Sequence, residues 1–186
     1  MMAWDPAVSR QINVPFEQGD VKEFTRLLLV HPEYLRHADG TDLWMWRAAM
    51  HGQIPLLQAL IDLGLDVNEP RDREDPDDPF YTPEGPILQA ASEGHVDVVR
   101  WLLEHGAKIN YIVQGKPRCL PLMQAASNGH YNVVKLLVEH GADINATWNR
   151  TNSVTQAEDY GHLQIRDYLR SLGGRSFREI IGQDSI

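Results

Sequence analysis

The stretches AASEGHVDVVRWLLEHGAKIN at Ala90–Asn110 and AASNGHYNVVKLLVEHGADIN at Ala125–Asn145 are identical at 14 of 21 positions without a gap. Self-similarity over a few tens of residues is what stacked repeat architectures leave in a sequence. Gly94 and Gly129 each precede a histidine, and each is followed 12 residues later by another glycine, Gly106 and Gly141. The same ruler fits Gly52 with Gly64 in AAMHGQIPLLQALIDLGLDVN and Gly161 with Gly173 in AEDYGHLQIRDYLRSLGG. Gly19 opens a fainter copy, GDVKEFTRLLLVHP. Successive spacings from Gly19 to Gly161 are 33, 42, 35 and 32 residues, which defines five units.

Within a unit, two short apolar-periodic segments flank the first glycine. The second, with Val98, Val99, Leu102 and Leu103, shows the i, i+1, i+4, i+5 pattern of one buried helical face. The pattern predicts a helix, a turn and a helix, the second glycine closing the second helix where positive φ is needed. The paired alanines Ala90/Ala91 and Ala125/Ala126 keep the first helix thin enough for close stacking. One such unit cannot cover its own apolar face, so several must pack in a row.

On these residues the chain resembles ankyrin repeats, whose unit is about 33 residues with a T-P-L-H-x-A start. GPILQAA and LPLMQAA stand where that start falls, so Pro86 and Pro121 match its helix-opening proline, and HGAKIN, HGADIN and LGLDVN match its unit end. The resemblance covers Val14 to Gly174 and implies an all-α ankyrin-repeat solenoid of stacked helix-turn-helix units with short β-hairpin-like fingers. The expected units are 5–38, 39–70, 82–112, 117–147 and 150–174, with an acidic insertion at 69–84 and a C-terminal cap at 175–186. Three departures stand out. LWMWRAA places Trp44, Trp46 and Arg47 at the start of the second unit; Pro15 falls inside the first expected helix and predicts a break there; and Ser176–Glu179 reads SFRE, a capping box before one last short helix.

Composition narrows the partner. With 17 Lys and Arg against 26 Asp and Glu, the net charge is −9, which opposes affinity for nucleic-acid phosphates or anionic membranes and favours a basic protein surface. Cys119 is the sole cysteine, so no intramolecular disulfide or cysteine zinc site is possible. The N-terminus lacks the cationic start and apolar run of a secretory signal, and no run reaches membrane-spanning length. The expected molecule is a cytoplasmic protein, monomeric when free.

Catalytic chemistry finds little footing. His95, His130 and His162 share one template position and His105 and His140 another, so repetition accounts for these five. His31, His37 and His51 have no metal-spaced partner, and no phosphate loop or nucleophile elbow is present. No cofactor or metal site is expected, and the chain reads as a non-enzyme. Trp101 occupies the position of Leu136 and is expected in the core.

Binding residues are therefore sought on the fingers and the exposed edge of the first helices. Glu69–Glu84 holds seven acidic residues, two arginines and four prolines. Within it Asp75, Asp77 and Asp78 lead to the aromatic pair Phe80 and Tyr81, an interface anchor with an electrostatic rim. Other fingers carry Tyr111 and, in TWNRTN, Trp148 with Arg150. Phe80, Tyr81 and Trp148 are expected to lie outside the stacked core. The resemblance places the residues just before the turn glycine on a concave groove, which adds Met50, His51, Glu93, Asn128 and Tyr160; of Trp44 and Trp46, one is expected in the core and the other accessible. The leading function is a non-catalytic module binding one protein partner, as a stoichiometric inhibitor or immunity protein against a basic toxin or enzyme. A cytosolic adaptor is the alternative within that class, and a small metal-binding or hydrolytic protein on a repeat scaffold is the alternative outside it.

Overall fold

The computed structural model describes residues 5–35, 43–68, 85–113, 116–118 and 120–183. Helices α1 (Pro6–Gln18) and α2 (Val21–Val30) form the first pair, followed by a 3-10 turn at Pro32–Tyr34. Four further pairs follow: α3 (Leu43–Met50) with α4 (Ile54–Asp62), α5 (Pro86–Ser92) with α6 (Val96–Glu104), α7 (Leu120–Ser127) with α8 (Tyr131–Glu139), and α9 (Ser153–Asp159) with α10 (Leu163–Ser171). A last helix, α11 (Phe177–Gln183), ends the chain's described part. First helices pack on first helices, α3 on α5, α5 on α7 and α7 on α9, while α2 meets α4, α6 meets α8 and α8 meets α10. The result is a two-layered helical solenoid. Between the third and fourth pairs, β1 (Tyr111–Val113) and β2 (Lys116–Arg118) make an antiparallel finger with Tyr111 opposite Arg118.

The turn inside each pair follows from its glycine. Gly94 has φ +78°, and the next amide, His95 N–H, donates back to Ala90 O at 2.9 Å. Gln53 to Ala48, His130 to Ala125 and His162 to Ala157 repeat that bond at 2.8–2.9 Å. This is the Schellman closure of a helix C-terminus, and it reverses the chain within three residues.

Two side-chain ladders then join pair to pair. The rings of His95, His130 and His162 reach back to the preceding unit, with Nε2 at 2.9, 2.8 and 3.0 Å from the carbonyls of Met50, Ser92 and Ser127. A carbonyl only accepts, so Nε2 carries the proton in each. On the opposite end of the units, Asn68, Asn110 and Asn145 reach forward. Asn110 Nδ2 donates to Gly141 O at 3.0 Å while its Oδ1 accepts from Asp143 N–H at 3.1 Å. Asn68 does the same with Gly106 and Lys108, and Asn145 with Gly173 and Arg175. His105 and His140 instead donate from Nδ1 to Trp101 O and Leu136 O in their own helices, at 2.7 and 2.9 Å. All five template histidines thus have a structural occupation.

One continuous apolar core runs from Ile12 to Leu169. At its N-terminal end Phe16, Phe24 and Trp44 lie with ring centroids 5.1–5.3 Å apart, and Trp44 Nε1 donates to Tyr34 O at 2.7 Å. This aromatic cluster explains why the second unit departs from the proline start of the third and fourth, at Pro86 and Pro121. Arg47 covers it, its guanidinium 4.4 Å from the Phe16 ring, bonded to Asn13 Oδ1 at 2.5 Å and paired with Glu17 at 3.6 Å. Burial lowers the Arg47 pKa, and Glu17 pulls it partly back.

The expected break at Pro15 does not occur: α1 runs unbroken from Pro6 to Gln18 with Pro15 buried inside it. An internal proline costs about 3 kcal/mol, and here the fully buried neighbours Ile12 and Phe16 outweigh that by fixing the helix against the second unit. Trp101 also differs from expectation. Leu136 is buried, but Trp101 is only half-buried and stacks on the His105 ring at 3.8 Å, because the indole is too large for the space a leucine fills. The SFRE capping box forms: Ser176 N–H donates to Glu179 Oε2 at 2.6 Å, and Glu179 N–H to Ser176 Oγ at 3.4 Å. Arg170 bonds both Glu158 and Glu179, at 2.7 and 3.1 Å, and ties α11 onto the last pair.

Candidate protein-binding groove

The first helices share a face not used for stacking, and the residues before each turn glycine lie along it. Met50 is half-buried and His51 exposed; Glu93 is exposed, 3.4 Å from Gln89 Nε2. Asn128 is exposed yet partly engaged, its Nδ2 donating to Ser92 O and Oγ at 2.8 and 3.0 Å. Tyr160 stands 64% exposed. Of the two tryptophans Trp44 is the buried one, 8% exposed, which removes it from any contact surface in this conformation; Trp46 is half-buried. Asp75, Asp77, Asp78, Phe80 and Tyr81 lie outside the described residues. For Tyr111 only the backbone, opening β1, is described.

Among the described residues, one cleft brings two candidates together, Trp148 and Tyr160. Trp148 and Thr151 exchange both backbone hydrogen bonds, at 3.0 and 2.9 Å, around Asn149 at φ +45° and Arg150 at φ +62°. Two successive left-handed residues make the tight turn that matches hairpin twist, a position where Asn-Gly is favoured. Arginine in the glycine position costs roughly 1 kcal/mol and leaves its side chain exposed at the tip. The turn folds the Trp148 ring onto a small apolar cluster of Leu88, Leu120 and Met123, separate from the main core. Trp148 therefore does not lie clear of packing as the sequence suggested; it closes a second, smaller core.

Between this finger and the first helices lies an open cleft of about 300 Å³. Leu88, Leu120 and Met123 form its floor, Trp148 and Asn149 one wall, and Gln124, Gln156 and Tyr160 the rim. Gln124 is exposed and Gln156 half-buried. Neither glutamine was singled out from the sequence, although a signal existed: Gln89, Gln124 and Gln156 stand at one template position, just before Ala90, Ala125 and Ala157. A polar residue repeated where stacking does not require it marks a surface position. Among the described residues no three His, Cys, Asp or Glu side chains converge as metal ligands, and no helix is long and apolar enough to cross a membrane.

The family profile described as Ankyrin repeats (3 copies) matches residues 17–112, 45–148 and 88–175. The chain belongs to the ankyrin-repeat family. Ankyrin repeats mediate protein–protein interaction. Among curated proteins none matches this ankyrin chain.

Proposed function

We propose that this ankyrin-repeat chain binds a single protein partner non-catalytically, through the concave groove of its fourth and fifth units and its fingers, and acts as a stoichiometric inhibitor or immunity protein of a basic enzyme or toxin. The observation that carries the binding reading is the open cleft whose lining includes Trp148 and Tyr160. The net charge of −9, over half of it from the −5 of Glu69–Glu84, supports a basic partner, because such a field accelerates encounter with the opposite charge. A cytoplasmic monomer fits this role.

The test has two steps. A protein captured on the immobilised chain should lose affinity when Tyr160 is replaced by Ala or Asn128 by Arg, and keep it when a residue of the opposite layer, such as Arg100, is replaced by Ala. The captured protein's own activity should then fall linearly to zero at one equivalent of this chain. Binding without inhibition makes the chain an adaptor; binding indifferent to both groove substitutions rejects the groove.

A further inference from the structure

Among the described residues, none that lines the cleft is charged at neutral pH, in a chain where 23% of residues are Asp, Glu, Lys or Arg. Its floor is apolar and nearly closed to solvent, with Leu88, Leu120 and Met123 exposed by 8%, 6% and 5%. Its rim is made of neutral amides and hydroxyls. Among the described residues the side-chain amides of Gln124 and Gln156 make no internal hydrogen bond. A phosphate or carboxylate entering here would lose hydration without meeting a counterion. A purely apolar molecule would cover the two amides and leave them unpaired. An extended polypeptide meets both demands, since its backbone N–H and C=O groups are unpaired and its side chains can be apolar.

Spacing agrees with that occupant. Packed helices such as α7 and α9 lie about 8–10 Å apart, and an extended chain advances about 3.1 Å per residue in polyproline II form. A segment crossing the groove therefore moves about three residues from one unit to the next. Gln124 and Gln156 would meet backbone groups three residues apart, each amide donating to a carbonyl and accepting from an N–H. The side chain between them would point to the Leu88–Met123 floor beside Trp148. A cleft of about 300 Å³ is at the small end of ligand sites and suits one large apolar side chain.

We propose that the cleft holds an extended, uncharged segment of the partner protein, seating one apolar side chain against Leu88, Met123 and Trp148 while Gln124 and Gln156 bond its backbone. This rests on the reading of the groove as a protein-binding surface. It separates two tasks: acidic residues elsewhere steer a basic partner, and a neutral anchor holds it.

The experiment uses the full chain and a displayed library of short random peptides. Selected peptides are expected to share an uncharged core with one apolar residue. The double variant Gln124→Glu/Gln156→Glu changes charge but not size at two surface positions; because a carboxylate cannot donate, it should weaken the selected peptides about tenfold or more, with the circular dichroism spectrum and melting point unchanged. Gln124→Ala/Gln156→Ala should weaken them less. Peptides rich in Lys or Arg that bind the Glu variant more tightly would overturn the proposal, as would selected peptides indifferent to both variants or a failure to select any. In those cases loss of the captured partner on Tyr160→Ala or Asn128→Arg would still uphold the groove as a protein-binding surface, so the two readings fail separately.

Discussion

Replacing Gly94 by alanine tests how far the histidine ladder holds the units together. Gly94 sits at φ +78°, and an added Cβ would lie 2.6 Å from His130 Nδ1 and 2.7 Å from its Cε1. Gly106 sits at φ +86° with nothing within 4 Å of such a Cβ. Both substitutions impose a left-handed conformation on alanine at about 1–2 kcal/mol, offset by about 0.4–1 kcal/mol from the stiffer unfolded chain. Gly106→Ala should therefore cost about 1 kcal/mol. Gly94→Ala must also push the His130 ring away, breaking its 2.8 Å bond to Ser92 O. A lost hydrogen bond of this kind is worth about 1 kcal/mol, and the displaced ring loses packing of similar size, giving about 3 kcal/mol in total. Gly52→Ala, whose Cβ would be 3.3 Å from the His95 ring, should fall between. Urea titrations of the three variants give the order, and hydrogen exchange locates the loss in the third and fourth units, since each unit contacts only its neighbours. In a His130→Ala background the obstacle is gone, and Gly94→Ala should drop back to about 1 kcal/mol, a coupling that a double-mutant cycle reads directly. Equal costs for Gly94→Ala and Gly106→Ala would show that the ring swings aside freely and that the ladder contributes nothing.

Asn110→Ala removes both forward bonds to Gly141 and Asp143 at an exposed site and should cost about 1 kcal/mol, with faster amide exchange at Asp143 as its local mark. Glu179 is held at about 2 against an ordinary 4.5, first by the Ser176 backbone N–H, then by the Ser176 hydroxyl and Arg170. Its folded value is the lower one, so its contribution is complete above about 4.5 and disappears as pH falls towards 2; the difference in α11 amide protection between wild type and Glu179→Gln should shrink to nothing over that window. Trp148→Ala uncovers Leu88, Leu120 and Met123 and should lower stability by about 2–3 kcal/mol, measured by urea unfolding, whereas an unchanged midpoint would mean the ring contributes no packing.

The helix pairs were legible because stacking forces a template to recur, and a recurring template is visible as sequence identity. Gly94 and Gly129, the alanine pairs and the His95 and His130 positions all repeat for that reason. Finger residues face no such demand, so nothing in TWNRTN announces that Asn149 and Arg150 turn the chain tightly enough to lay Trp148 on the groove floor. Pro15 misled for a related reason. A local preference is a small quantity, and the burial of Ile12 and Phe16 decides against it. The cleft was half legible: Trp148 stood out as a fingertip aromatic and Tyr160 by its place before the turn glycine, while nothing singled out Leu88 and Met123. They belong to a cluster of their own because they lie one step round the helix from Ile87 and Leu122, which face the main core.

That single step divides the labour of the first helices. Ile87, Leu122 and the alanine pairs join the main core, and the histidine and asparagine ladders secure the units at both ends of each pair. Stability is thus largely provided without Gln124, Gln156 or Tyr160. Trp148 is the exception, since it both closes the small cluster and walls the cleft, so a substitution there changes fold and binding together. Gln124 and Gln156 are the better levers: no packing depends on their amides, they line the same cleft, and a change confined to their charge reaches the binding equilibrium alone. If their substitution to Glu shifted the unfolding midpoint as much as Trp148→Ala does, the division would be wrong, and the row of glutamines would have to be counted as part of the stack.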